Sequence, residues 1–164
     1  MSVEVTLARG PIDPAQLLDG FNRGLDGEGG VVTFTGHARG RASSGDPVSE
    51  LVLESYRGVT LASMETIAAD AMARFAVSRC RVVHRSGRIA PGEAIVFVAT
   101  ASTHRRAAFE AADYLMDRLK TEAVFWKREE GPDGNRWIEP TDGDREDAER
   151  WASTGRTHDE AHPS

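Results

Sequence analysis

The sequence predicts an α+β fold, a single domain in which a mixed, largely antiparallel sheet is combined with two long helices and a C-terminal hairpin. Strand-like and helical segments are interspersed along the chain, and short turns join the strands, which favours antiparallel over doubly wound parallel pairing. The chain has 164 residues, of which 40% are hydrophobic, and this is enough for one packed core.

Local signals mark the first strand and the first helix. Residues 3–8 alternate apolar and polar side chains, as a short strand does. Asp13 and Pro14 then supply an N-cap and a first-turn proline for a helix that we expect to run to about Asn22. The Gly-rich residues 24–30 end this helix.

Two strands and a long helix follow. Residues 31–35 and 50–56 predict strands, and the loop between them, residues 36–47, contains glycines, serines and a proline that indicate mobility. Residues 59–77 place apolar side chains on one face of a helix. We interpret this stripe as core packing rather than as a ligand site.

The second half of the chain repeats this mixture. Residues 79–85 and 94–101 predict strands, and residues 104–122 predict the second long helix. Residues 124–129 and 136–139 flank a Pro-Asp-Gly sequence, which is a strong turn signal. These two segments therefore predict the C-terminal hairpin.

The charge is concentrated at the C-terminal end. Residues 141–164 contain seven acidic and three basic residues, so they carry −4 of the net charge of −6 and leave −2 for residues 1–140. We expect a domain over residues 1–140 and an acidic, mobile tail over residues 141–164. The tail has one short stretch that is compatible with a helix, residues 144–151, in which Trp151 could dock on the domain or on a partner. The acidic balance argues against nucleic-acid binding.

The sequence also indicates a compartment. The N-terminus lacks a basic segment followed by an apolar run, and the longest apolar stretch, residues 94–101, is too short to span a membrane. The single cysteine, Cys80, excludes an internal disulfide, and no Cys/His cluster has metal-ligand spacing. We expect a cytoplasmic protein without a metal, in which Cys80 is a buried thiol rather than a reactive one.

Lysine is rare in this chain. Only Lys120 and Lys127 occur, against eighteen arginines. A guanidinium stays protonated, whereas a lysine ammonium can lose its proton and react, so retained lysines can mark a need for an amine. The alternative is an arginine-biased composition with two lysines left by chance.

Basic side chains accompany both lysines. His104 and Arg105 begin the second long helix, where free backbone N–H groups favour an anion, although an exposed basic turn is an equal interpretation. Phe125 and Trp126 would hold Lys127 in a partly dry site and so lower its pKa. The sequence contains no Gly-rich phosphate-binding loop after a strand and no Ser-His-Asp signature. An anionic small molecule is the predicted ligand.

Five sequence blocks are distinctive when they are taken together. In chain order they span Phe34–Arg39, Leu53–Gly58, His84–Gly87, Ser102–Ala111 and Leu119–Trp137. They resemble the large, catalytic subunit of molybdopterin synthase. The resemblance covers about residues 31–139. Ala38 and Val124 depart from the family pattern, in which valine and proline are common at these positions.

This resemblance implies a sulfurtransferase of molybdenum cofactor biosynthesis. Its expected reaction converts cyclic pyranopterin monophosphate to molybdopterin, with sulfur from the C-terminal Gly-Gly thiocarboxylate of a small ubiquitin-like subunit. A homodimer of the large subunit within a heterotetramer is implied, and no metal or other cofactor is expected in this step.

The resemblance also implies site residues, in two groups. Lys127 and Lys120 correspond to the active-site lysines, with Lys127 the more directly catalytic as acid/base or as an amine that engages the acyl end of the donor. The residues expected to bind the pterin substrate are His37, Ala38, Arg39, His104, Arg105, Arg128, Glu129 and Arg136.

Two other functions stay open at this point. One is a catalytically idle scaffold that binds the small subunit or the pterin. The other, from the chemistry of the residues alone, is a Schiff-base lyase that uses Lys127 on a carbonyl substrate.

Overall fold

The protein has the predicted α+β fold. The computed structural model describes residues 1–56 and 58–153. In chain order the elements are β1 (Ser2–Ala8), α1 (Pro14–Asn22), β2 (Gly30–His37), β3 (Glu50–Ser55), α2 (Val59–Arg74), β4 (Arg79–Arg85), β5 (Gly87–Ile89), β6 (Ala94–Ser102), α3 (Arg105–Glu122), β7 (Phe125–Gly131), β8 (Gly134–Ile138) and α4 (Asp142–Ser153).

The strands form two four-stranded sheets, where the sequence predicted one. Sheet one has the order β1-β4-β6-β2 and sheet two has the order β5-β3-β7-β8. Among the strands of the described residues the β1–β4 pair alone is parallel, so the predicted antiparallel bias is confirmed. The chain passes directly from sheet one to sheet two after β4, where Gly87 has a φ of 91° that favours glycine.

The main core lies between sheet one and the two long helices. Met64 of α2 and Leu115 of α3 are fully buried against Val82 and Val98 of the sheet. A second cluster, built around Phe21 and Phe97, covers the α1 side. The apolar stripes of α2 and α3 are therefore core packing, as predicted.

The C-terminal hairpin is confirmed. Strands β7 and β8 pair in antiparallel register from Lys127 with Ile138 to Gly131 with Gly134, so Pro132 and Asp133 form the tight turn. The three-residue strand β5 was not predicted, because a segment of that length has no recognisable period of its own.

The structure differs from the expected mobile tail over residues 142–153. These residues form α4, which packs on α3 through Trp151. The indole ring meets Phe75 and Tyr114 edge-on, and its Nε1 donates a 2.7 Å hydrogen bond to Asp117 Oδ2. Trp151 thus docks on the domain itself, whereas residues 154–164 lie outside the described residues.

A close backbone approach joins the start of β2 to the start of α3. The Gly29 N–H donates to the Ser102 carbonyl oxygen at 3.0 Å. A Cβ atom at Gly29 would clash with the Thr103 carbonyl oxygen. The glycine is therefore needed for space, and it fixes the position of the first turn of α3.

We predict opposite effects of the same substitution at two glycines. Gly29→Ala should lower the free energy of unfolding by about 1–3 kcal/mol, because the backbone must move to relieve the clash. Gly20→Ala, at an open position of α1, should raise it by about 0.5–1 kcal/mol. Urea unfolding of both variants measures the difference, and equal effects would refute the role assigned to Gly29.

Candidate active site

A cavity of about 630 Å³ opens between the two sheets and the C-terminal part of α3. It is lined by residues of β2, β3, β4, β6, α3, β7 and β8, of the segment between β2 and β3, and of the chain from Glu139 to the start of α4. Both lysines of the chain lie in it, together with the residues Phe34, Thr35, Gly36, His37, Arg39, Arg41, Ser43, Val48, Leu51, His84, Ile95, Val96, Met116, Leu119, Glu129, Ile138, Glu139, Pro140, Thr141 and Asp144.

Lys127 enters the cavity from β7. Successive side chains of a strand point to opposite faces, so Lys127 shares its face with Phe125 and Glu129. The side chain is partly buried, and this burial lowers the pKa of the Lys127 amine. The positive charge of Lys120 lowers it further, while the Asp144 carboxylate opposes the shift.

Lys120 reaches the same cavity from the last turn of α3. Its Nζ lies 3.2 Å from Asp144 Oδ1 of α4. Two lysines that are seven residues apart in sequence therefore converge from a helix and a strand. The structure thus brings together the two residues that the sequence singled out.

His84 forms part of the cavity wall at the end of β4. Its ring stacks on Phe125 with centroids 4.3 Å apart, and its Nδ1 lies 2.9 Å from the Arg85 carbonyl oxygen. A carbonyl only accepts, so Nδ1 carries the proton in the neutral ring. Burial lowers the pKa of His84 to about 4, and the Lys127 charge contributes in the same direction against the Arg85 hydrogen bond.

The segment after β2 supplies the basic rim of the cavity. His37 and Arg39 line it, as does Arg41, and His37 Nδ1 lies 3.1 Å from the Gly92 carbonyl oxygen. Ala38 points the other way and is buried with Leu53 in a small apolar cluster. Its side chain therefore supports the loop and does not line the cavity.

The predicted residues of the hairpin separate between the two faces of β7. Glu129 lines the cavity, and Arg136 of β8 lies across from it with Nη2 3.7 Å from Glu129 Oε2. Arg128 lies on the other face, where Nη2 donates to Glu130 Oε1 at 2.9 Å and the guanidinium covers the Trp137 ring. Neither Arg128 nor Arg136 lines the cavity.

His104 and Arg105 lie at the opposite end of α3 from Lys120. Positions 104 and 120 are sixteen residues apart, which corresponds to about 24 Å of helix. Neither His104 nor Arg105 lines the cavity of its own chain. Within one chain these two residues therefore lie apart from the lysines.

Sequence reasoning missed the contribution of the tail to the cavity. Glu139, Thr141 and Asp144 all line it. Thr141 and Asp144 form a reciprocal cap at the start of α4, with hydrogen bonds of 2.9 and 3.1 Å. The Thr-x-x-Asp pattern resembles the known capping box and was the signal available.

Two further properties concern the described part of the chain. Within residues 1–56 and 58–153, no group of three or more His, Cys, Asp or Glu side chains could hold a metal ion. Over the same residues, no helix combines the length and apolar character needed to cross a bilayer.

The fold and the site define an α+β protein whose cavity offers a partly buried amine and a basic rim to an anionic ligand. The model of the family described as "MoaE protein" matches residues 7–122. The chain belongs to this family.

Curated and solved relatives agree with this assignment. The molybdopterin synthase catalytic subunit of Caulobacter vibrioides is 54% identical over 147 residues, which cover 90% of this chain and 96% of the relative. The solved MoaE protein of Burkholderia ambifaria is 34% identical with a TM-score of 0.70, over 92% of this chain and 97% of that one. Molybdopterin synthase from Staphylococcus aureus is 27% identical with a TM-score of 0.70, over 82% and 95%.

We predict that His84 makes stability fall in mild acid. The folded pKa of about 4 lies below the usual value of about 6.5, so the unfolded chain binds the proton more tightly. The free energy of unfolding should therefore fall by about 2 kcal/mol between pH 8 and pH 5, a range in which most carboxylates stay ionised.

The matched variants are His84→Asn and His37→Gln. The first removes the ring and should flatten this part of the pH profile of chemical unfolding, whereas the second replaces an exposed histidine and shows whether the effect is specific to His84. A wild-type slope that persists in His84→Asn would show that another group is responsible.

Proposed function

We propose that this chain is the catalytic subunit of a molybdopterin synthase, a sulfurtransferase that converts cyclic pyranopterin monophosphate to molybdopterin. The observation that carries the proposal is the convergence of Lys120 and Lys127, the only lysines of the chain, on one cavity of suitable size. The names of the relatives support the same reaction.

The two sulfur atoms must come from another molecule. The only cysteine, Cys80, is buried in the main core, and burial raises the pKa of its thiol to about 12. A thiol in this state is not a nucleophile at neutral pH. This supports a partner as sulfur donor, namely the C-terminal thiocarboxylate of a small ubiquitin-like subunit.

The cavity suits a reaction between two anions. Arg39 and Arg41 at its rim, with Lys120 inside, attract a cyclic phosphate and a thiocarboxylate and reduce their mutual repulsion. Lys127, whose pKa is lowered by burial, has a larger neutral fraction than an exposed lysine. It is therefore the group best suited to accept and return a proton, or to engage the acyl carbon of the donor.

We also propose that the working assembly contains two copies of this chain and two small subunits. His104 and Arg105 lie too far from Lys120 to reach the cavity of their own chain, so a second copy is the natural source of these groups. No cofactor is proposed for this step. A cytoplasmic location is consistent with the free, buried thiol of Cys80.

We predict that Lys127→Met nearly abolishes dithiolene formation, by a factor of about 100 or more, because the amine that exchanges the proton is lost. The methionine keeps an unbranched side chain at a partly buried position, so the free energy of unfolding should not fall. The assay mixes the purified chain with cyclic pyranopterin monophosphate and thiocarboxylated small subunit and follows the product.

The same assay separates the synthase from the idle scaffold. Product from the native chain establishes the synthase, whereas a folded native chain that binds the small subunit and forms none would establish the scaffold. Near-normal turnover by Lys127→Met would remove that residue from the chemistry. Borohydride trapping of Lys127 with a simple ketone tests the lyase.

We further predict that Lys120→Arg is not a conservative change. A guanidinium keeps the positive charge, but it is larger and planar, so it cannot occupy the position of the ammonium beside Asp144. Turnover should fall by about tenfold or more, measured in the same product assay. Full activity in this variant would show that the shape of the cation at position 120 does not matter for turnover.

A further inference from the structure

Asp144 connects the start of α4 to the active-site cavity. Its Oδ2 accepts a 2.9 Å hydrogen bond from the Thr141 N–H, and its Oδ1 faces Lys120 Nζ at 3.2 Å. The backbone N–H of Asp144 donates to Thr141 Oγ1 at 3.1 Å. One carboxylate oxygen therefore caps a helix while the other holds a lysine, and the side chain is only 20% exposed.

The position of Asp144 is fixed by the far end of α4. Arg150 Nη2 donates to Asp113 and Asp117 of α3 at 2.8 and 3.0 Å. Trp151 packs beside them, and its backbone carbonyl accepts from Arg74 at 2.6 Å. Because α4 is held along α3, the carboxylate of Asp144 stays beside the last turn that carries Lys120.

The two lysines are therefore in unequal surroundings. Among the described residues, Asp144 is the one carboxylate within ion-pair distance of a lysine. It pairs with Lys120 and not with Lys127. Lys127 is the more buried of the two, and the electrostatic influence of Asp144 on it only partly offsets this burial. One amine thus has a fixed counter-charge and the other has none.

We propose that Asp144 is a positioning residue that divides the roles of the two lysines. Its ion pair holds Lys120 as a fixed ammonium that binds the anionic reactants, and this leaves Lys127 as the amine that exchanges a proton during turnover. The inference rests on the proposed synthase function for the meaning of these roles, but the charge division itself is a property of the free chain.

Other charged or titratable groups also face the cavity and set the background for this effect. They come from β4, from the end of β2 and the segment after it, from β7 and from the segment after β8, and they are His84, His37, Arg39, Arg41, Glu129 and Glu139. All remain in place when Asp144 alone is replaced. A change in lysine reactivity can therefore be assigned to the Asp144 carboxylate.

The test compares lysine reactivity in Asp144→Asn, Asp144→Glu and the native chain. Trace acetylation with acetic anhydride over a range of pH, read by mass spectrometry of the two lysine peptides, reports the neutral fraction of each amine. In Asp144→Asn, Lys120 should be acetylated about threefold faster at pH 8, because its Nζ is no longer held against a carboxylate. The pH at which Lys127 reaches half of its maximal acetylation rate should fall, since the Asp144 carboxylate raises the pKa of Lys127 in the native chain.

Two variants separate charge from helix structure. Asp144→Glu keeps the charge, and glutamate is a usual residue at this position of a capping box, so its acetylation profile should stay close to that of the native chain. Asp142→Asn removes an exposed carboxylate from the same turn of α4 and should change neither lysine. If Asp144→Asn and Asp144→Glu behave alike, or if Asp142→Asn has the same effect, the proposal is overturned.

Turnover supplies the second readout. In the complete assay, Asp144→Asn should lower kcat by about tenfold and Asp144→Glu should recover most of it. A rise in turnover would instead identify the ion pair as an inhibitory contact and overturn the positioning role. Absence of product from the native chain would count against the synthase function, while the acetylation profiles would still decide the role of Asp144.

Discussion

The stacking of His84 on Phe125 links the two sheets at the active-site cavity. The pair joins the end of β4 in sheet one to the start of β7 in sheet two, with the rings 4.3 Å apart. Lys127 lies two residues beyond Phe125 on the same face of β7, so it is placed in the angle between the sheets. Burial in that angle, rather than a particular partner, is the first cause of its lowered pKa. Removal of water from an ammonium is costly, and the fold uses this cost to favour the neutral amine.

Strand β7 also separates a side chain of the cavity from a side chain that stabilises the hairpin. Alternation along β7 points Lys127 into the cavity and turns Arg128 toward Glu130 and Trp137 on the opposite face. Helix α3 makes a similar separation by length, because it carries Lys120 at one end and an unused basic turn at the other. A single chain thus holds both lysines in one cavity and carries the basic turn of His104 and Arg105 at a distance from it.

Local sequence patterns predicted the helices, most strands and the hairpin, which depend on residues close together in the chain. Apolar periodicity identified the helices and most strands, and Pro-Asp-Gly identified the hairpin. The division into two sheets could not be predicted, since it depends on pairing between distant strands such as β3 and β7. The same limit applies to the site: the rarity of lysine identified Lys120 and Lys127, whereas the burial of Ala38 and the position of Asp144 follow from long-range packing.

The proposed chemistry depends on the protonation state of the Lys127 amine. A chain with only two lysines allows this state to be measured directly. Incorporation of lysine labelled with ¹³C at Cε gives NMR signals from only two residues, and Lys127→Arg assigns them by removing one. We predict that the Lys127 signal titrates with a pKa below the ordinary lysine pKa of about 10.4. Titration of Lys127 at or above that value would contradict it, because the cavity would then hold two ordinary ammonium groups and no amine prepared for proton transfer.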